Sequence, residues 1–191
     1  MGFGLHKKIG FDMDGVLIDH TGLKIKLAKD RGWDILPKES NSDILRAILP
    51  GAVLEELWYM LYHDPIISLA SPLMKGVNEG LDGLLEAGIS YYLVSRRRDP
   101  LLAQELLGLH GLWPKYFNEE NSSFVGTRED KNVKAVELGI THYVDDEPAV
   151  LEKLIDIENR FLLDPHDSFK DENYYTRVNS WDELLNHLLA S

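Results

Sequence analysis

Four short apolar segments of the chain each end at a charged or hydroxyl residue, and helical segments separate them. Continuous apolar strands that alternate with helices are typical of a parallel sheet covered on both faces. The sequence therefore predicts an α/β fold built on a doubly wound, Rossmann-like parallel sheet. The apolar segments are residues 8–11, 90–94, 141–144 and 161–163, and they end at Asp12, Ser95, Asp145 and Asp164.

Apolar periodicity and capping residues predict helices between these strands and one more at the end of the chain. Ser180 and Glu183 have the spacing of a capping box, which places the start of the last helix at Ser180. Pro148 suits the first turn of the helix expected over residues 148–158. The core helices are expected over residues 76–88, 101–109, 129–138 and 148–158.

Residues 19–72 interrupt this alternation, because they contain no convincing strand. We interpret them as a small all-helical insert after the first strand, which leaves residues 1–18 and 73–191 for the α/β core domain. Helices are expected in the insert over residues 21–31, 41–49 and 51–62. The large side chains of the last of these helices are interpreted as insert core, and they are Trp58, Tyr59, Met60 and Tyr62.

The charge and composition exclude several classes of protein. The formal net charge is −12, from 32 acidic and 20 basic residues, so the chain lacks the basic face of a nucleic-acid binder. A few local bases or a metal ion can still attract a small anion into a cleft. The chain has no cysteine, which excludes disulfides and thiolate metal sites.

The apolar segments are too short for a membrane helix or for a signal peptide, so we expect a cytoplasmic protein with no membrane partner. The sequence leaves open whether the protein is a monomer or a homodimer.

Polar side chains follow three of the predicted strands, at the edge of the sheet where open α/β folds bind ligands. Several carboxylates placed there would repel one another, and a divalent cation would relieve that repulsion. Hard oxygen ligands without cysteine favour Mg2+, and carboxylates with Mg2+ and a nearby base indicate phosphate chemistry. The residues concerned are Asp12, Asp14, Ser95, Asp145 and Asp146.

Four motifs in this order resemble those of the haloacid dehalogenase (HAD) superfamily, whose members are mostly Mg2+-dependent phosphatases. The first is Phe11-Asp12-Met13-Asp14-Gly15-Val16, and the second is Tyr92-Leu93-Val94-Ser95. The third is Lys131 near the start of a helix, and the fourth is Tyr143-Val144-Asp145-Asp146. The resemblance covers most of the chain and makes the 19–72 insert similar to a C1 cap, which closes over the active site.

The resemblance implies a role for each of these residues. Asp12 would be the nucleophile and a metal ligand, and Asp14 would be the general acid and base and supply a further metal ligand through its backbone carbonyl. Ser95 and Lys131 would bind the phosphoryl group, and Asp145 and Asp146 would complete the Mg2+ site. The activity expected is phosphomonoester hydrolysis of a nucleotide or sugar phosphate through an aspartyl-phosphate. The acid at position 14 argues against dehalogenase activity, because a leaving halide needs no proton.

Several assignments stay open at this point. Lys134 is the alternative to Lys131, and either Asp145 or Asp146 can be the direct metal ligand. Of the three successive arginines Arg96, Arg97 and Arg98, Arg96 is the candidate for a substrate contact. A sugar phosphomutase of the same superfamily and a catalytically idle HAD-like binding domain are the alternative functions.

Overall fold

Six parallel strands form a single sheet in the computed structural model of the protein, which describes residues 7–190. Their order is β3-β2-β1-β4-β5-β6, so the chain moves outward from β1 first to one side and then to the other. This is the doubly wound Rossmann order, and it confirms the predicted fold class. The strands are β1 (Lys8–Phe11), β2 (Ser90–Ser95), β3 (Ser122–Phe124), β4 (His142–Asp145), β5 (Asn159–Leu163) and β6 (Thr176–Val178).

Helices cover both faces of this sheet, because alternate residues of the central strands are apolar on both sides. Phe11 of β1 packs with Trp181 in one buried cluster, whereas Tyr143 of β4 and Leu162 of β5 belong to a second cluster. The core helices are α5 (Val77–Glu86), α6 (Pro100–Leu109), α7 (Arg128–Leu138), α8 (Pro148–Leu151) and α9 (Trp181–Leu189), of which α5, α6 and α9 contribute to the first cluster and α7 and α8 to the second.

The structure corrects the predicted helix over 148–158, since α8 ends at Leu151. Arg160 Nη1 donates to the carbonyl of Leu151 at 3.0 Å, and the chain then continues in tight turns. These turns place Leu154 and Ile157 in the second buried cluster. The spacing of apolar residues that predicted a helix up to residue 158 therefore reflects the burial of side chains from these turns.

Two strands were not predicted, β3 and β6, and both are short strands at the sheet edges. The capping box is also only half correct. Ser180 Oγ accepts from the Glu183 N–H, but the Glu183 carboxylate accepts from the N–H of Asn179.

Residues 19–72 contain the three predicted helices in the described structure, together with a 3-10 turn and a short fourth helix that were not predicted. They pack around a buried cluster that includes Leu27, Leu45 and Leu57 and that is separate from the two sheet clusters. Ile18 and Leu73 form an antiparallel bridge, so the chain leaves and re-enters the core at adjacent points. The elements are α1 (Thr21–Lys29), the 3-10 turn (Pro37–Glu39), α2 (Ser42–Ile48), α3 (Gly51–Tyr62) and α4 (Pro65–Ser68).

Candidate active site

Three carboxylates meet at the carboxyl ends of the two central strands. The register pairs Phe11 with Val144, and the N–H of Asp12 donates to the Val144 carbonyl at 3.0 Å. The residues at the carboxyl ends of these strands are therefore neighbours, and one carboxylate oxygen from each of Asp12, Asp145 and Asp146 lies within 4.8 Å of the other two. Such a set of hard oxygen donors fits a small divalent cation such as Mg2+.

Burial and mutual repulsion alter the proton affinity of these carboxylates. Burial raises the pKa of Asp12 to about 7, with further increases from Asp145 and Asp14 and an opposing contribution from Lys131. Burial also raises the pKa of Asp145, and burial together with the charge of Asp145 raises the pKa of Asp146 well above its usual range. A bound cation would replace these protons and keep the carboxylates ionised.

Lys131 is fully buried between two of these acids. Its Nζ lies 3.0 Å from Asp12 Oδ1 and 2.7 Å from Asp145 Oδ2. Burial alone would lower the pKa of Lys131, but Asp12 and Asp145 together raise it above its ordinary value. Lys134 lies instead at the surface of α7, where it pairs with Glu137 at 2.6 Å. The geometry therefore places Lys131, and not Lys134, at the candidate site.

Gly15 lies against the same acidic group. Its φ is +82°, and a Cβ built there would lie 2.2 Å from Cγ of Asp146. We expect Gly15→Ala to displace Asp146 and to strain the loop by about 1–3 kcal/mol. The variant should therefore require a higher Mg2+ concentration for half-maximal metal binding. The thermal midpoint of unfolding, measured as Mg2+ is titrated, gives this concentration.

Gly22→Ala in α1 is the matched control, because a Cβ there meets no heavy atom within 4 Å. It should leave the Mg2+ titration unchanged and stabilise the helix slightly. Equal Mg2+ titrations for Gly15→Ala and the wild type would show that Asp146 is not a metal ligand.

Asp14 is held by two other partners. Arg97 Nη2 lies 2.7 Å from Asp14 Oδ1, and Arg97 Nε lies 2.9 Å from Oδ2. His20 Nε2 lies 2.6 Å from Oδ1, and His20 Nδ1 lies 3.0 Å from the hydroxyl of Ser71. Burial would raise the pKa of Asp14, but Arg97 and His20 hold it well below its usual range.

This shift is opposite to the one that a general acid requires. With its pKa held this low by Arg97 and His20, the Asp14 carboxylate has no proton to donate and is also a weak base. Its side chain also lies outside the three-carboxylate group of Asp12, Asp145 and Asp146.

Ser95 is the last residue of β2, and Arg96 follows it at the same edge of the sheet. Ser95 is fully buried, and its Oγ accepts from the N–H of Arg97 at 3.1 Å, which leaves its own hydrogen free to donate. Arg96 Nη2 donates to Glu147 Oε2 at 2.9 Å. Arg96 Nε is buried and makes no hydrogen bond within residues 7–190, so an anion in the adjacent cavity would satisfy it.

A cavity of about 290 Å³ lies above these residues, between the core and the 19–72 segment. The 19–72 segment contributes Trp58 and Tyr62, for which insert core was preferred over substrate contact; both line the cavity and also pack against the insert cluster. Tyr59 was wrongly assigned to the core, since it is 63% exposed. The lining residues are Asp12, Asp14, Lys24, Ser42, Arg46, Trp58, Tyr62, His63, Arg96, Arg97, Arg98, Asp146 and Glu147.

Polar contacts join the 19–72 segment to the core beside this cavity. Asn41 Nδ2 donates to the backbone carbonyl of Asp146 at 2.7 Å, and Arg128 Nη2 bridges Asp43 and Glu147 at 2.6 Å each. Sequence reasoning missed these residues along with His20 and the pairing of Arg97, since no motif marks them. The run of three arginines after Ser95 was the one available signal.

Comparisons with solved structures show the same fold. A HAD-superfamily hydrolase of subfamily IA from Geobacter sulfurreducens aligns with 98% of this chain and 98% of its own, at TM-score 0.59 and 16% identity. A HAD family hydrolase from Deinococcus radiodurans with bound phosphate and sodium aligns over 97% and 89%, at TM-score 0.57 and 18% identity. A family IA, variant 3 HAD hydrolase from Entamoeba histolytica aligns over 95% and 99%, at TM-score 0.62 and 15% identity.

The chain therefore has the fold of the HAD-superfamily hydrolases, which confirms the resemblance carried by its motifs at the level of the fold. A Bacillus cereus protein that is provisionally named a nucleotidase is 27% identical over 190 residues, covering 94% of this chain and 90% of its own. No family model matches the chain. Among residues 7–190, the helices are all too short or too polar to span a membrane.

Proposed function

We propose that this protein hydrolyses phosphomonoesters of small metabolites through an aspartyl-phosphate on Asp12. The observation that carries the proposal is the buried Lys131, which lies 3.0 Å from Asp12 and 2.7 Å from Asp145 beneath a cavity at the carboxyl ends of the strands. A lysine between two buried carboxylates costs several kcal/mol of desolvation, so a purely structural core would gain more from apolar side chains.

Mg2+ is the proposed cofactor, held by Asp12, Asp145 and Asp146. The close approach of their oxygens and the raised pKa values of all three carboxylates support this assignment. When bound, the metal would screen the negative charge of the phosphoryl group from these acids. The resemblance to the HAD superfamily implies the backbone carbonyl of Asp14 as a further metal ligand.

The residues of the chain would carry both chemical steps. An Asp12 oxygen attacks phosphorus while the bond from phosphorus to the ester oxygen breaks, and that oxygen takes a proton from protonated Asp14 and leaves as the alcohol. Ser95, Arg96 and Lys131 hold the charge of the transferred group, since each offers an N–H or O–H donor at the sheet edge. Water then attacks phosphorus, its proton passes to Asp14, and Asp12 is released with inorganic phosphate.

Arg97 and His20 keep Asp14 ionised but lower its proton affinity, so while both partners are in place Asp14 is a weak base as well as a poor acid. Donation of a proton to a leaving alcohol requires Asp14 first to be protonated, which requires the ion pair with Arg97 to open. We therefore propose that Asp14 is the base for water and the acid for the alcohol, and that both proton transfers require its ion pair with Arg97 to open.

The substrate class that the cavity supports is a nucleotide or a similarly polar phosphate ester. Trp58 and Tyr62 provide aromatic surface, and five cavity bases provide positive charge in a protein of formal charge −12. The provisional name of the Bacillus cereus relative supports a nucleotide. The 19–72 segment would act as the C1 cap that selects the substrate.

Hydrolysis of a panel of phosphate esters with and without Mg2+ tests the function, and Asp14→Asn tests the mechanism. An aryl phosphate needs little help from an acid, so the variant should still phosphorylate Asp12 but should lack the base for the second step. We expect a burst of about one equivalent of phenolate, followed by turnover about 10²–10⁴-fold slower than in the wild type. Stopped-flow absorbance and acid-quenched phosphoenzyme would show this.

Two results would count against the proposal. A folded, Mg2+-loaded wild type that cleaves no ester of the panel contradicts phosphatase activity. Loss of the burst as well as of the turnover in a folded Asp14→Asn variant contradicts the assignment of Asp14 to the second step.

A further inference from the structure

Lys24 of α1 is a buried cation that the proposed mechanism does not use. It is 5% exposed and lines the cavity. Its Nζ donates to Ser42 Oγ at 3.3 Å and lies 5.8 Å from the centre of the Trp58 ring. Within residues 7–190, no carboxylate lies within 4.0 Å of this ammonium group.

The other buried or half-buried bases of the cavity have acidic partners. Arg97 pairs with Asp14 at 2.7 Å, and Arg96 pairs with Glu147 at 2.9 Å. Arg98 has no such partner in the described part of the chain, but it is exposed and water can hydrate it. Lys24 thus stands apart, because a buried ammonium without an ion pair is costly and calls for an anion.

The net positive charge of the cavity lining can balance more negative charge than one phosphoryl group carries. Five bases and four acids line the cavity. A metal bound as proposed would cancel the charges of Asp12 and Asp146, which leaves five bases against two acids. A phosphoryl dianion balances two of the three remaining positive charges. One positive charge stays uncompensated, and within residues 7–190 Lys24 is the buried cavity base without an ion-pair partner.

The position of Lys24 in the 19–72 segment argues against a role limited to binding the transferred phosphoryl group. The residues proposed for that group, Ser95, Arg96 and Lys131, all belong to the core. The neighbours of Lys24 in the cavity, Ser42 and Trp58, belong to the 19–72 segment. If the core residues hold the transferred phosphoryl group, the 19–72 segment would contact the part of the substrate that leaves.

We propose that Lys24 binds a second anionic group, a carboxylate or a further phosphate, on the leaving-group side of the substrate. The preferred substrates are then phosphomonoesters that carry an additional negative charge, and Lys24 is the residue that selects them. The hydroxyl of Ser42 lies beside the ammonium group and can donate to the same anion. This inference rests on the proposed phosphatase function.

Matched substrates that differ in one anionic group test the inference. 3-Phosphoglycerate and glycerol 3-phosphate differ by a carboxylate, and a nucleoside 3′,5′-bisphosphate and its 5′-monophosphate differ by a phosphate. We expect the wild type to prefer the more charged member of at least one pair. In Lys24→Met, kcat/KM for that member should fall by about 10- to 100-fold, mainly through KM, while the less charged member changes less than about twofold.

Two further variants separate recognition from general electrostatics. Lys26→Met removes the same charge from an exposed position of α1 and should leave the preference unchanged. Lys24→Arg retains the charge and should restore part of the preference. Circular dichroism of each variant confirms that it is folded.

An equal loss for both members of each pair in Lys24→Met, or a wild type without any preference, overturns the inference but not the phosphatase activity. A wild type that hydrolyses nothing overturns the proposed function instead. In that case, calorimetric titration of 3-phosphoglycerate and glycerol 3-phosphate into wild type and Lys24→Met tests the anion site alone. Tighter binding of 3-phosphoglycerate that depends on Lys24 supports the site, and equal affinities overturn it.

Discussion

Asp12→Asn should abolish phosphatase turnover, with kcat falling by about 10⁴-fold or more, because the amide can neither attack phosphorus nor supply an anionic metal ligand. No burst of phenolate and no phosphoenzyme should form, in contrast to Asp14→Asn. Release of phosphate from an aryl ester at saturating Mg2+ measures the effect. Residual turnover near the wild-type level in the purified variant would show that Asp12 is not the nucleophile.

The same substitution should change how stability depends on pH when no metal is present. The pKa of Asp12 is raised to about 7 in the folded state by burial, from an ordinary value of 3.8. Between these values the folded state binds more protons than the unfolded state, so stability falls as pH rises. Asp12→Asn removes this contribution, and its free energy of unfolding should decline less steeply between pH 5 and pH 8.

Urea unfolding at several pH values in the presence of EDTA measures this slope. Asp34→Asn provides the control, since Asp34 is exposed in the 19–72 segment and should leave both activity and slope unchanged. A slope in Asp12→Asn equal to that of the wild type would contradict the raised pKa of Asp12.

Sequence reasoning could locate the residues at the strand ends because their positions follow from parallel-sheet geometry. Once β1 and β4 are neighbours, Asp12, Asp145 and Asp146 must lie close together, whatever the details of packing. The same geometry explains why Lys131, at the start of the helix before β4, reaches both Asp12 and Asp145.

Other features depend on contacts that no local pattern encodes. The docking of the 19–72 segment decides that Lys24 and Trp58 enter the cavity, and that depends on long-range pairs such as Asn41 with Asp146. Arg97 was one of three successive arginines, and the fold alone determines that it is the one buried against Asp14. The edge strands β3 and β6 have three residues each, too few to show a period.

Lys131→Met should be the most destabilising single substitution at the site. It removes a fully buried cation and leaves Asp12 and Asp145 without their partner. Breaking a buried ion pair in this way costs about 3–5 kcal/mol. Urea unfolding of the metal-free protein at pH 8 measures the loss, and phosphatase activity should be lost as well.

Lys134→Met is the matched control, because Lys134 lies on the same helix three residues further on and pairs at the surface with Glu137. Its effect should stay within about 0.5 kcal/mol. Equal effects of the two substitutions would contradict the assignment of Lys131 to the site.

The cost of Lys131→Met should shrink as pH falls, and this dependence separates lost charge compensation from lost packing. Without Lys131, the pKa values of Asp12 and Asp145 rise further, because the charge of Lys131 opposes their increase. At pH 5 both carboxyls can then be protonated in the folded state, and a neutral acid needs no ammonium partner. A destabilisation that is the same at pH 5 and pH 8 would indicate that Lys131 acts through packing, whereas a smaller loss at pH 5 would show that its charge holds the two acids together.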